Sequence, residues 1–350
     1  MTMLATLLPL WMFVSRGQAC TVTGATTFTD LSGYNVYLFK TSGGTLTVAR
    51  ETPAKFLVVG GGGAGGGNTV VGGGGGGAGA VIYDPSFALS TAVSYTVTIG
   101  EGGWGFSNGG DTSFGNVFLA KGGGGGGGNP ASGKNGGSGG GGSGGERFQI
   151  SGGLKSNGNT VGIRSELSGN IGGTGVEYTL ADGLEFERVT SGGGGGAGTL
   201  GLDGIRSTFR LPGYKYGPAG RGGEGIFGDK SGNRFSDIFG NAFRTIAVLG
   251  NDIDLFLAGQ TSAPGIAAGG GGGAWCQSAL CYRTNAQSGG TIGKGGTGYR
   301  VPSTILVPVD IDATSNTGSG GGGASDKALT SSPSITFSAG SFTVIFVGLS

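Results

Sequence analysis

Seven nearly pure glycine runs punctuate this chain: Gly60–Gly67, Gly72–Gly79, Gly122–Gly128, Gly136–Gly145, Gly192–Gly198, Gly269–Gly273 and Gly320–Gly323, each broken at most by an occasional Ala or Ser. Glycine loses more conformational freedom on ordering than any other residue. Such runs are therefore either flexible linkers or parts of an ordered state that compensates the loss. A freely moving linker has no reason to recur seven times, and the first run follows directly on the apolar segment 55–59. The ordered alternative is an extended left-handed helix with three residues per turn. Helices without side chains approach closely enough to exchange N–H···O=C bonds laterally, so that each backbone group is satisfied by a neighbouring chain. A packed bundle of polyglycine-II-type helices is the favoured reading over linker, with the interrupting Ala and Ser at outer positions.

Composition narrows the function classes. Glycine accounts for 89 of 350 residues, against a usual level of about 7%. With only 10 prolines and no strict Gly-X-Y period, the chain is not collagen. A hydrophobic share of 36% and a net charge of +1 argue against a wholly disordered chain, and they leave no basic face for nucleic acid. There is no histidine, so the side chain that titrates nearest neutrality and serves most often as metal ligand is missing. The expectation is a protein that is not an enzyme and holds neither cofactor nor metal.

Outside the runs, short segments alternate with period two. In 35–40, Val36 and Leu38 share one face and Tyr37 and Phe39 the other. Residues 45–49, 94–99, 112–119, 304–309 and 335–347 read similarly, the last broken near Gly340, while 55–59 is a largely apolar strand that ends abruptly at Gly60. β-Branched and aromatic residues at this turn-bounded spacing predict an all-β fold, a sandwich or barrel. Because the strands come from both ends of the chain, they are expected to pair with each other. The predicted organisation is an apolar N-terminal segment (1–19), a first sandwich part with glycine-helix loops (20–120), a glycine-rich insertion (121–300) and closing strands (301–350). Within the insertion, residues 235–257 carry less glycine, and either a short helix capped by Ser236 and stopped by Gly250 or a buried irregular loop fits them.

Two patterns imitate nucleotide sites. Phe56 to Gly65 ends a strand in Gly60-x-Gly62-x-x-Gly65, with Asp84 about 20 residues on, but glycine continues where the pyrophosphate-binding helix must start. Around Thr291–Gly295, Ser288 replaces the first glycine of a phosphate loop and Gly295 its hydroxyl residue. Asp252 with Asp254, and Asp310 with Asp312, lack the other oxygen ligands of a calcium loop and read as solvated strand edges. More suggestive are aromatics set in glycine-rich loops: Trp104 and Phe106, Tyr214 and Tyr216, Trp275 and Tyr282. Glycine loops cannot bury them locally, so they either cap the edges of the bundle or project as rigid contact surfaces for sugars or proteins. Cys276 and Cys281 flank four residues and are a candidate disulfide, or else two idle thiols. The apolar stretch before Ser15 is too short to span a bilayer and reads as a signal ahead of Cys20, an anchor, or a buried strand.

The segment from Tyr34 through Thr45-Leu-Thr-Val48, then Phe56-Leu-Val-Val-Gly-Gly-Gly-Gly-Ala-Gly-Gly66 and Gly74 to Ile82, resembles the glycine-rich domain of viral and bacteriophage structural proteins. One extra glycine stands in the turn at Gly43-Gly44, and the chain ends, as such chains do, in a glycine run and a hydrophobic strand. The resemblance, from about Thr26 onward, implies a jelly-roll-like β-sandwich with inserted polyglycine helices. It is similar in kind to phage tail-tip adhesins and, in architecture, to the glycine-rich region of anaplastic lymphoma kinase receptors. It implies a virion structural protein, capsid-associated or part of a fibre, on the particle surface. Its partners would be other virion proteins, copies of itself and a host surface glycan or protein, with a membrane reached only through an uncleaved N-terminus. A secreted cell-wall or matrix protein, or a protein-ligand-binding module, is the alternative.

Overall fold

The computed structural model describes residues 20–29, 35–68, 73–128, 131–144, 159–160, 166–178, 188–204, 219–226, 228–229, 231–235, 237–239, 266–272, 274–276, 318–325 and 342–347. The strands are β1 (Cys20–Thr23), β2 (Thr26–Thr29), β3 (Asn35–Phe39), β4 (Thr45–Val48), β5 (Thr52–Val59), β6 (Gly67–Asn68), β7 (Val81–Leu89), β8 (Ser94–Thr98), β9 (Thr112–Phe114), β10 (Phe118–Ala120), β11 (Asn159–Thr160), β12 (Glu166–Ser168), β13 (Val176–Tyr178), β14 (Arg188–Thr190), β15 (Ala274–Cys276), β16 (Ala324–Ser325) and β17 (Phe342–Val347). Helix is confined to one turn at residues 235 and 237–239 among the described residues. The fold is all-β.

Two six-stranded sheets dominate, β1-β4-β8-β9-β10-β11 and β12-β7-β5-β17-β3-β2. Strand β17 lies between β3 and β5, pairing Val344 with Leu38 on one side and with Leu57 on the other. The two ends of the chain thus meet in the middle of one sheet, as the sequence predicts. Burial on both faces explains why 56–59 is apolar throughout. Phe56 and Val58 enter the core between the two sheets. Leu57 and Val59 point the opposite way, into a second core with Val36, Leu38, Val81, Tyr83, Phe235 and Phe239. A strand buried on both faces has no polar side to show. In the first core Phe56 packs against Phe87, Phe114 and Phe118 with ring centroids 5.6, 4.8 and 5.1 Å away, and burying a ring of that size stabilises by roughly 2–3 kcal/mol.

Local chemistry corrects one sequence reading. Residues 112–119 form a hairpin rather than one strand, because Gly115 takes φ +53 and the Val117 N–H donates to the Phe114 carbonyl. In the helical turn, the N–H groups of Asp237 and Ile238 donate to the Arg234 carbonyl. Ser236, the expected cap, lies outside the described residues, and the Arg234 carbonyl accepts the first bonds of the turn. Its role is packing: Phe235 and Phe239 are fully buried against Tyr83 at 5.5 and 6.3 Å. In the β3–β4 turn each glycine has a separate task. Gly43 supplies φ +91, and a Cβ on Gly44 would meet the Phe39 ring at 2.6 Å.

The glycine runs leave the strand ends directly, the first from β5, the second into β7 and the third from β10. The second run is the axis of the array. Its N–H groups at 74, 77 and 80 donate to the carbonyls of Gly127, Gly124 and Lys121, those at 75 and 78 to Gly192 and Gly195, and those at 76 and 79 to Gly321 and Gly318. Its carbonyls accept from Gly60, Gly63 and Gly66, from Ser138 and Gly141, and from Gly270. Every third residue faces the same neighbour, and all six other runs surround the second. The surrounding runs also bond one another in a closed ring. Gly123 donates to Gly61, Gly124 to Ser138, Gly195 to Gly139, Gly194 to Gly270, Gly323 to Gly271 and Gly321 to Gly63, at 2.7–3.0 Å.

Ala and Ser do not take the outer positions expected of them. Ala64, Ala78, Ser138, Ser143 and Ser319 are fully buried. Ala78, Ala197 and Ala267 place their methyls in the second core, where the array abuts a sheet and a small side chain fills space. The serines answer backbone groups: Ser319 Oγ accepts from Ala268 N–H at 3.1 Å and Ser138 Oγ from Asn170 N–H at 3.3 Å.

A candidate ligand-contact loop

Residues 99–111 join β8 to β9 and lie along the glycine array. Gly61 N–H donates to the Gly110 carbonyl, Ala64 N–H to Ser107, Gly103 N–H to Gly62 and Gly109 N–H to Gly123, so both arms of the loop are stitched to the first and third runs. At its base Asp111 accepts from Gly122 N–H at 2.9 Å and from Lys121 Nζ at 2.6 Å. This ion pair is about two-fifths exposed, so its worth is positional more than energetic.

The tip is the turn Trp104-Gly105-Phe106-Ser107. The Ser107 N–H donates to the Trp104 carbonyl at 3.0 Å, and the two central residues have φ +53 and +68, as a type I′ turn requires. Trp104 N–H in turn donates to Ser107 Oγ at 2.8 Å. Glycine at 105 adopts this conformation freely, whereas a left-handed Phe costs about 1–2 kcal/mol. The reward for that strain is not burial, because Trp104 is 61% and Phe106 40% exposed. Asn108 locks the second arm, accepting from Gly125 N–H at 2.9 Å and donating from Nδ2 to the Asn135 carbonyl at 2.8 Å. Exposed Lys134 and Asn135 stand beside it, since Lys134 N–H donates to the carbonyl of the same Gly125. The result is an aromatic tip held by backbone and side-chain hydrogen bonds, with a polar rim. Among the described residues no three His, Cys, Asp or Glu side chains come together as metal ligands, and no helix is long and apolar enough to cross a membrane.

Of the other aromatic candidates, Trp275 lies in β15 opposite Val189, and Cys276 opposite Arg188. Tyr214, Tyr216, Tyr282 and Cys281 lie outside the described residues, and with Cys281 so does the proposed disulfide. The N-terminal segment, the acidic pairs at 252–254 and 310–312, Thr291–Gly295, Gly250 and the expected strand at 304–309 lie outside them as well. The dinucleotide-like glycines are occupied by the protein itself: a Cβ on Gly62 or Gly65 would strike the carbonyl of Ser319 or Gly322. Asp84 is buried and accepts from Ser86 N–H at 2.9 Å. Sequence reasoning missed the clamps Ser107 and Asn108, whose only signal is a polar residue next to an aromatic in a glycine-rich loop. It also missed Ile171, Leu200 and Leu202, which are about half exposed on adjacent outer segments joined by Gly201 N–H to the Ile171 carbonyl.

No curated protein and no solved structure matches the chain. The segments that build the array, from the β3–β4 turn to the approach of β17, coincide with the span matched by a family model, residues 40–341, described as a glycine-rich domain. By that match the chain belongs to the glycine-rich domain family.

Proposed function

We propose that this protein is a non-catalytic structural component of a virus particle, capsid-associated or part of a fibre, exposed at the particle surface and touching the host through loop aromatics. Its partners are other virion proteins or copies of itself, together with a host-surface molecule. The observation that carries the reading is the aromatic turn held on a backbone-bonded glycine array. Such an array is stiff without side-chain packing, and it offers proteases few open strands.

The runs are read here as polyglycine-II helices. What supports this is the step of three between residues bonded to the same neighbour, the repeat of a three-residue turn. The two sheets are read as a jelly-roll-like sandwich, on the support that the chain passes between sheets from β3 to β4, β4 to β5 and β7 to β8.

Peptide mass spectrometry on purified particles tests the function. Recovery of this chain at stoichiometric abundance is the expected result. Recovery only from medium or cell wall, with a mature N-terminus at Cys20, would discard the virion reading in favour of a secreted matrix protein.

A further inference from the structure

We infer that the Trp104–Phe106 turn is a saccharide-binding tip that takes the apolar face of a neutral pyranose ring. This rests on the surface-contact reading above and names its ligand class.

Size decides first between ligand classes. Trp104 and Phe106, 61% and 40% exposed, offer on the order of 200 Å² between them, far below the ~800 Å² each partner buries in a stable protein interface. A single sugar ring needs no more than that. Chemistry decides next. A pyranose presents C–H groups on one face, which suit the electron-rich face of an indole or phenyl ring, and hydroxyls at its edge, which need amide and ammonium partners. The rim supplies these in Asn108, Lys134 and Asn135. The Asn108 amide has one N–H and one lone pair beyond its bonds to Asn135 and Gly125. Glu101 on the same loop and Lys134 at the rim are both exposed and opposite in charge, so neither sign prevails and a neutral sugar is favoured.

Preorganisation is the third argument. A bulky residue held at φ +68 while remaining exposed stores strain that burial does not repay, and strain of this kind gathers at ligand-contacting sites. Stitching to the first and third runs fixes the turn before any ligand arrives, so little entropy remains to be lost on binding.

The test uses the full chain on an array of immobilised neutral hexose and N-acetylhexosamine oligosaccharides, followed by titration of the best binder in solution. Trp104→Ala is expected to weaken binding about tenfold, the equivalent of one aromatic stacking contact. Phe106→Gly separates function from folding: glycine relieves the left-handed strain, so its melting temperature stays level or rises while saccharide binding falls several-fold. Absence of binding to every oligosaccharide at millimolar concentration would overturn the inference, as would binding unchanged in both variants. Neither result touches the particle-surface reading, which stands or falls on the mass spectrometry of particles.

Discussion

At the residue scale, two glycines serve different physical needs and give opposite forecasts. Gly43 has φ +91 with open space around its Cβ position, whereas a Cβ on Gly75 would collide with the Gly270 carbonyl. Gly43→Ala should therefore destabilise by about 1 kcal/mol, the left-handed penalty alone. Gly75→Ala should destabilise by about 3 kcal/mol or more, because backbone on the far side cannot step aside. Equal shifts in the urea midpoint for the two variants would contradict this distinction. A second forecast concerns pH. The Tyr37 hydroxyl lies 3.0 Å from Cys20 Sγ, and burial, followed by the hydrogen bond and charge of that thiol, raises its pKa above the ordinary 10.0. A raised folded-state value means that the contribution is complete below the ordinary tyrosine range and is lost as pH climbs through that range toward the folded value. Stability should fall more steeply above about pH 10 in the native chain than in Tyr37→Phe. Parallel alkaline denaturation curves would refute it.

At the scale of the element, the second run differs from every ordinary strand or helix because its bonds leave in six directions. All seven N–H groups from Gly74 to Ala80 donate to other segments, so none can open without disturbing a neighbour. These amides should be among the slowest to exchange in the molecule, at a free energy approaching that of global unfolding. Complete exchange within seconds, followed by NMR, would eliminate the packed array. The strands were largely legible beforehand. Alternation marked β3, β4 and β8, because side-chain period reports which face is covered, and an unbroken apolar run ending at Gly60 marked the doubly buried β5. The hairpin break at Gly115 was not legible, since glycine within a strand pattern signals either a bulge or a turn. The burial of Ala78 and Ser138 was missed for a related reason: a run with a period of three has no inside until its neighbours are placed.

At the scale of the whole molecule, β17 binds the two ends of the chain into one sheet. It enters last and sits between β3 and β5, so a chain ending at residue 341 loses a central strand and leaves two edges of unpaired backbone. Such a truncation should be expressed as aggregated or unfolded protein, because exposed apolar edges template association. A soluble truncated chain with the native circular dichroism spectrum would show that the sheet closes without it. The loop tip shows how scale divides what could be foreseen about the site. Trp104 and Phe106 stood out from composition alone, as aromatics that glycine neighbours cannot bury. That they share one turn with two left-handed residues, clamped by Ser107 and Asn108, depends on bonds to runs 14 to 49 residues away.

The sequence by itself determined the all-β class and the pairing of strands from the two ends of the chain, since each follows from local side-chain period. Only the tertiary structure decided which run lies at the centre, the order of the six around it and the direction in which each travels. A glycine has no side chain with which to specify a partner, and every glycine carbonyl accepts as well as any other. The choice of neighbours is therefore made by the points where strands β5, β7 and β10 join the array, and those points are set by the two hydrophobic cores.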